Sequence, residues 1–271
     1  MKKKFPVFSL SVFAVILIGC FIGSLFLTKD PAYMDLSNCN AAPDREFFFG
    51  TDNMGRDIFS MIWYGGRISL LIGFLATFLS TFLGVLVGSV SGCAPAWIDG
   101  ILMRATELIL SIPSLLLTVF LQAAAGRANV YSLAVVIGLT GWMNMAKVVR
   151  TEVLQLKRTE YVIAARCLGG GFFHLFCRHL VPNFVPSILF MAVMSVRNAM
   201  VAEATLSFMG LGLPAETVSW GSMLSMAENA LLSRAWWSVL IPGIFLAGTI
   251  LCLTNLGNYM RKSINKRHSN L

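Results

Sequence analysis

The segment Glu160–Asn183, EYVIAARCLGGGFFHLFCRHLVPN, concentrates residue types that could do chemistry within an otherwise apolar sequence. Its three consecutive glycines could present backbone N–H groups to a phosphate. Its two cysteines and two histidines are of the types that bind zinc. Its mixture of apolar and basic residues could instead form an amphipathic surface for a partner. Each interpretation requires a different spacing of the residues.

The phosphate interpretation requires a lysine and a serine or threonine after the glycines, in the spacing G-x4-G-K-[ST]. The residues that follow Gly171 are FFHLF, and nothing elsewhere in the chain supplies the missing parts. We therefore expect the chain itself to bind neither ATP nor another cofactor.

The metal interpretation rests on the types of Cys167, His174, Cys177 and His179. Ligands on one helix meet at a spacing of three or four residues, so His174 and Cys177 could share a face. His179 points away from Cys177, and Cys167 precedes glycines that break a helix. No metal site is predicted.

The amphipathic interpretation rests on apolar residues at helical spacing on both sides of the glycines. It predicts two short helices bent at the glycines, with Pro182 stopping the second at the entry of the next apolar run. A cytoplasmic apolar face of this length requires a partner, and the pattern fits lipid headgroups and a protein equally well.

The composition requires a membrane protein. The chain has 271 residues, of which 56% are hydrophobic and 13% charged, and a mean hydropathy of +0.74. A helix of roughly 20 apolar residues crosses a bilayer. Six apolar runs predict six transmembrane helices, which are Val7–Leu27, Ile68–Val90, Ala105–Ala125, Tyr131–Val149, Phe184–Leu206 and Trp237–Leu256.

The positive charges predict the orientation of these helices, because Lys and Arg near helix ends stay on the cytoplasmic side. With both termini in the cytoplasm, the inner segments hold fourteen of these residues and the outer segments six, while Arg197 lies within a span. The net charge of +8 then reflects topology and contact with the lipid bilayer. A nucleic-acid partner is not needed to explain it.

The inner segment resembles a family motif. The permease subunits of bacterial ATP-binding-cassette importers carry E-A-A-x3-G-x9-I-x-L-P, and Ala164, Ala165, Gly169 and Pro182 match its second, third, G and P positions. The match is closer to the version E-Y-V-x-A-A-R-x-L-G … R-H-x-x-P-N of the dipeptide, oligopeptide and nickel group. In that version the acidic residue sits three positions earlier, as Glu160 does.

Two further stretches are similar to the same group. FGTDNMGRDIFSMIWYGGRISLLIG, from Phe49 to Gly73, resembles its signature LGTDxxGRDxxSRxxxGxRxSL, with Met61 where a basic residue is common. EATLSFMGLGLPAETVSWGSML, from Glu203 to Leu224, resembles its segment E-x-x-LSFLGLG … SWG-x-ML. The resemblance therefore covers most of the chain.

The resemblance implies a type I importer transmembrane domain that forms half of a translocation path. The implied partners are a second, homologous permease subunit, two ATPase subunits that bind ATP and Mg, and an extracytoplasmic substrate-binding protein. The inner segment would dock on an ATPase through Glu160, Ala164, Ala165, Leu168, Gly169, Phe172 and Pro182. In this scheme residues 1–67 hold the first helix and an extracytoplasmic loop. Residues 68–257 form the permease domain with its coupling loop 151–183, and residues 258–271 form a basic tail.

The charges within the spans are candidate path residues. A charge near the centre of a transmembrane helix costs roughly 2.5–3.5 kcal/mol, so Arg197 and Glu203 are expected to face a cavity or a partner. For Glu203 an interfacial position near the helix end is an equal alternative.

The outer signature residues Asp52, Gly55, Arg56 and Asp57 are expected to lie where a binding protein docks. Capping and orienting the second transmembrane helix is their alternative role, and the favoured one.

A secondary active transporter is the alternative function. It would place coupling charges at mid-membrane and would not need an amphipathic inner segment. The substrate is left open between peptides and nickel or other metal chelates. The short loop before FGTD favours the compact nickel-type members slightly.

Overall fold

The computed structural model describes residues 6–23, 29–169, 171, 178, 180–214, 216–226 and 234–268. These residues form helices and loops. Their backbone also contains an isolated antiparallel β-bridge between Thr51 and Asp57. The helices are α1 (Val7–Ile18), α2 (Ile58–Cys93), α3 (Ala96–Leu110), α4 (Ser114–Ala125), α5 (Val130–Leu156), α6 (Glu160–Cys167), α7 (Val181–Phe208), α8 (Trp220–Ser225) and α9 (Trp237–His268). The predicted all-α class is confirmed.

Four helices are long and apolar enough to cross a bilayer, namely α2, α5, α7 and α9. They contain the predicted second, fourth, fifth and sixth spans, and each extends beyond the predicted bounds. A π-helical turn, Gly19–Gly23, continues α1, so the first apolar helix is described over 17 residues, Val7–Gly23. The remainder of the predicted first span lies outside the described residues.

The prediction of one continuous third span over Ala105–Ala125 is wrong. The helix α3 ends at Leu110, α4 begins at Ser114, and the two axes differ by 88°. Pro113 explains the break, because it lacks an N–H donor and disfavours the helical conformation at Ile112. The described residues thus contain four spanning helices, or five if the α3–α4 pair is one bent span.

Glycines on α2 let α5 approach its backbone closely. Gly84, Gly88 and Gly92 recur every four residues on the face of α2 that meets α5. A Cβ atom at Gly88 would lie 2.5 Å from the carbonyl oxygen of Ala146. Small residues at this spacing permit close packing of helices in a membrane, where the hydrophobic effect does not drive association.

Apolar clusters join the remaining helices to this pair. One surrounds Trp220 on α8 and collects side chains from α1, α2, α7 and α9. The indole Nε1 of Trp220 donates a hydrogen bond of 2.9 Å to the carbonyl of Ile62. Another cluster, with Met145, Val153 and Phe184, fixes the end of α5 against the start of α7. The two ends of the segment between α5 and α7 are therefore held together by packed apolar side chains.

Substitution of Gly88 by alanine tests the close approach of α2 and α5. The added Cβ would force the helices apart, and such overpacking typically costs about 1–3 kcal/mol. The matched control is Gly248→Ala on α9, where a Cβ meets nothing within 4 Å. We expect Gly88→Ala to lower the melting temperature of the detergent-purified protein and Gly248→Ala to leave it unchanged or raise it. Equal melting temperatures for the two variants would contradict the packing.

Candidate functional site

The short helix α6 is displayed at one end of the bundle. A turn after Leu156 leads into it, and Val162 anchors it with a side chain that is 5% exposed. Ile163 and Leu168 are apolar and remain 49% and 89% exposed. The predicted first amphipathic helix is therefore confirmed. The predicted docking residues on it are exposed or half-buried, and they are Glu160, Ala164, Ala165, Leu168 and Gly169.

The glycine after α6 is needed for its backbone conformation. Gly169 has φ of 86°, in the left-handed region that side chains with a Cβ disfavour. A Cβ there would meet nothing within 4 Å, so space is not the constraint. Gly169 is thus the residue at which the chain turns out of α6.

The remainder of the predicted coupling segment is described in part. Phe172 and the predicted second amphipathic helix fall outside the described residues. Pro182, which was predicted to stop that second helix, lies in the first turn of α7, which begins at Val181. Proline is tolerated there, since a first-turn N–H has no partner within the helix.

An ionic cluster ties α2, α3 and α5 together. Arg150 on α5 donates hydrogen bonds from Nε and Nη2 to the two carboxylate oxygens of Asp99 on α3, each at 2.5 Å. The hydroxyl of Ser91 on α2 donates to the same carboxylate. We call Ser91, Asp99 and Arg150 the Asp99 clamp. Sequence reasoning missed it, because no spacing rule pairs residues 51 apart.

A polar groove of about 640 Å³ lies between α2, α4, α5 and α7, with Ile250 of α9 also in its lining. Hydroxyl and amide side chains line much of it: Thr77, Ser80, Ser114, Thr118, Thr140, Asn144, Ser195, Asn198 and Thr205. Arg197 is the charged residue among the described lining residues, so it lies where the path prediction requires. Its role in a path stays a prediction. Sequence reasoning missed the remaining polar residues, because they are scattered singly over four apolar helices.

Glu203 lies away from this groove. Its side chain is fully buried, and its carboxylate accepts hydrogen bonds from three hydroxyls. Ser219 donates at 2.7 Å, and Ser207 and Ser69 donate at 3.1 Å each. These bonds hold Glu203 between α7, α2 and the start of α8, so it does not line this groove, and its path-lining or interfacial role stays a prediction. Its role in this structure is to join those three elements.

The outer signature residues form a buried loop structure. The guanidinium of Arg56 pairs with the carboxylate of Asp52 at 2.8 Å, with both side chains at most 7% exposed. The other carboxylate oxygen of Asp52 accepts the backbone N–H groups of Met54 and Arg56. The Nη2 of Arg56 also reaches the sulfur of Met226, after α8. This pair therefore folds the loop and attaches it to the bundle.

Two further signature residues set the start of α2. Asp57 caps the helix by accepting a hydrogen bond from the backbone N–H of Ser60 at 3.1 Å, which confirms the predicted capping role. Gly55 has φ of 73°, and a Cβ there would lie 1.8 Å from the carbonyl oxygen of Asp35. Both the backbone conformation and the space require glycine at this position.

The candidate metal ligands give no described site. Among the residues that the structure covers, no three His, Cys, Asp or Glu side chains are grouped to hold a metal ion. Cys167 is exposed, and His174, Cys177 and His179 lie outside the described residues.

An apolar helical bundle with a polar groove and a short helix displayed at one end is the arrangement of a membrane permease subunit. Residues 80–266 match the family of binding-protein-dependent transport system inner membrane components. The chain belongs to this family, and the resemblance seen in its three motifs is confirmed.

Curated relatives cover nearly the whole chain. The oligopeptide transport system permease protein OppC of Bacillus subtilis (strain 168) is 35% identical over 266 residues, which are 98% of this chain and 87% of that protein. The dipeptide transport system permease protein DppC of the same organism is 33% identical over 98% of this chain and 83% of its own length. OppC of Escherichia coli (strain K12) is 34% identical over 95% of this chain and 86% of its own length.

Family membership settles the general role of the chain. It is a non-catalytic permease subunit of a type I ATP-binding-cassette importer and a multi-pass protein of the bacterial cytoplasmic membrane. The family implies separate ATPase and substrate-binding partners.

Removal of the buried cation in the outer loop should destabilise the protein. Arg56→Gln leaves the Asp52 carboxylate buried without its counter-charge, and breaking a buried pair in this way costs about 3–5 kcal/mol. The matched control is Arg45→Gln in the same loop, where the arginine is exposed. We expect Arg56→Gln to lower the melting temperature and to speed proteolysis between residues 29 and 57. Unchanged proteolysis in Arg56→Gln would show that the pair does not hold the loop.

Proposed function

We propose that this chain forms half of the translocation path of a peptide importer. The observation that carries the proposal is the polar groove, whose polar lining comes from four helices of an otherwise apolar bundle. Hydroxyl and amide side chains can exchange hydrogen bonds with peptide groups, which are neutral donors and acceptors. The names of the relatives support a peptide substrate, since OppC and DppC are oligopeptide and dipeptide permeases.

The other half of the path comes from a second, homologous permease subunit. The groove is open, so it needs a facing surface to enclose a substrate. Two ATPase subunits bind ATP and Mg and drive the cycle, and the chain itself holds no cofactor. A substrate-binding protein docks on the side of the loop that contains Asp52 and Arg56. There the buried pair maintains the shape of the docking surface.

The coupling mechanism starts at α6. Its exposed apolar residues Ile163 and Leu168 seat it in a cleft of an ATPase, and Glu160, Ala164, Ala165 and Gly169 complete the docking surface. Because α6 follows α5 after a short turn, movement of the ATPase pair is passed to α5. The Asp99 clamp passes it on to α3, whose continuation α4 walls the groove with Ser114 and Thr118. Closure of the ATPases thereby changes the opening of the groove, as a two-state element biased by a ligand.

The alternative functions have less support. A secondary transporter would use mid-membrane charges to bind a coupling ion. Glu203 is sealed by three hydroxyls and does not line the groove, and Arg197, which does line it, is a cation and would repel a coupling cation. The relatives described above carry peptide names rather than nickel names, so they support peptides over the nickel-type substrate that the short loop favoured.

Gly169→Asp tests the docking of α6. A residue with a Cβ in the left-handed region costs about 1–2 kcal/mol, and the carboxylate adds a charge at the docking surface. We expect roughly tenfold slower ATP-driven peptide uptake into proteoliposomes that contain the whole importer. The control is Gly171→Asp, which adds the same side chain where the backbone φ is outside the left-handed region. Peptide uptake driven by an ion gradient without ATPase subunits would overturn the proposed function.

Asp99→Asn tests the link from α5 to α3. It removes the charge from a partly exposed pair, with an expected loss of about 1 kcal/mol, or roughly fivefold in uptake per ATP hydrolysed. The control is Arg104→Gln on the same helix, because its 84% exposed side chain pairs with Glu107 of α3 itself and makes no described link to α5. The measurement is the ratio of peptide uptake to ATP hydrolysis. If Asp99→Asn had the same ratio as the unmodified importer, the Asp99 clamp would not take part in coupling.

A further inference from the structure

Arg197 is a charged residue in the middle of a membrane-spanning helix, α7, and its side chain lines the polar groove. Its guanidinium donates two hydrogen bonds to the side-chain oxygen of the neighbouring Asn198, from Nη2 at 2.7 Å and from Nε at 3.2 Å. This acceptor is a neutral amide, so it orients the guanidinium without balancing its charge.

No carboxylate of the described residues balances that charge either. The ion pairs found in the described ranges join Arg56 with Asp52, Arg150 with Asp99, and Arg104 and Lys147 with Glu107, all outside the groove. Glu203, the acidic residue on the same helix, is fully buried, and hydroxyls occupy both of its carboxylate oxygens. The described lining of the groove is therefore positive.

A guanidinium at this depth in a membrane is costly unless an anion or a water-filled cavity receives it. The anion that fits it best is a carboxylate, because the planar fork of N–H donors matches the two carboxylate oxygens. An unmodified peptide carries one such group whatever its sequence, the carboxylate at its C-terminus. The side chains around Arg197 are neutral and suit the rest of a peptide chain, since Ser195, Thr140 and Asn144 line the same groove.

We propose that Arg197 binds the C-terminal carboxylate of a peptide in the groove and that it selects peptides with a free C-terminus. The inference rests on the proposed function, because it names the part of the substrate that the groove recognises. Asn198 acts as a positioning residue that holds the guanidinium toward the groove.

The test compares two peptides of one sequence in proteoliposomes that contain the whole importer. One peptide has a free C-terminal carboxylate and the other a C-terminal amide, and the sequence is chosen so that the binding protein binds both. The measured quantity is the ratio of the two uptake rates under saturating binding protein. Since the ratio is taken within each preparation, differences in the amount of folded importer cancel.

The unmodified importer is expected to take up the free-carboxylate peptide faster. Arg197→Gln should lower the ratio about tenfold, through slower uptake of that peptide alone. Arg197→Lys keeps the charge without the fork and should give an intermediate ratio. Arg127→Gln removes an exposed arginine that does not line the groove and should leave the ratio unchanged.

A ratio in Arg197→Gln equal to that of the unmodified importer would overturn the inference, whether uptake of both peptides falls together or not at all. An equal fall would assign Arg197 a structural role or a pairing with another subunit. In either case ATP-driven uptake by the unmodified importer would leave the proposed function standing. Failure of the unmodified importer to take up either peptide would overturn the proposed function, and the inference with it.

Discussion

Inside a bilayer a polar side chain has no water to bond with, so the hydroxyls, amides and charges of a spanning helix require partners from the protein. Glu203 shows how this requirement organises the bundle. Its carboxylate accepts hydrogen bonds from the hydroxyls of Ser69, Ser207 and Ser219, and it thereby joins α2, α7 and the start of α8 at one buried point. Some polar groups in the described part of the chain lack such partners. At the polar groove, the hydroxyl of Thr77 has no partner and Arg197 has no counter-charge among the described residues. The groove is thus one place where the protein leaves polar groups for something else to satisfy.

The same bundle connects the groove to α6. The glycines of α2 let that helix pack closely against α5, and a short turn joins α5 to α6. The Asp99 clamp adds α3, and the sharp break at Pro113 turns the chain into α4, which walls the groove. At the other end, the buried Asp52–Arg56 pair and the cap at Asp57 fix the loop and the start of α2. In the proposed mechanism, a force applied at α6 reaches the groove through these contacts while the opposite end stays fixed.

The sequence predicted the helical class, the four long helices and the short helix α6, because each rests on local periodicity or composition. It did not predict the bend at Pro113, since an apolar run of residues has the same composition whether its helix is straight or bent. The sequence also did not predict the partners of Glu203 and Asp99, because most of them lie on other helices that only the tertiary fold brings close. Arg197 was recognised because a charge is unusual in an apolar run, whereas neutral polar residues are common enough in such runs that those around it could not be recognised from the sequence.

The proposed mechanism requires that movement of α6 change the width of the polar groove. The most direct test is a distance measurement between spin labels on its two walls, at Leu115 on α4 and Val201 on α7, in an importer whose six native cysteines in this chain are replaced. The distance should differ between the nucleotide-free complex and the complex with ATP and loaded binding protein, and Gly169→Asp should abolish the difference. The same distance in both states of an importer that transports actively would contradict the claim.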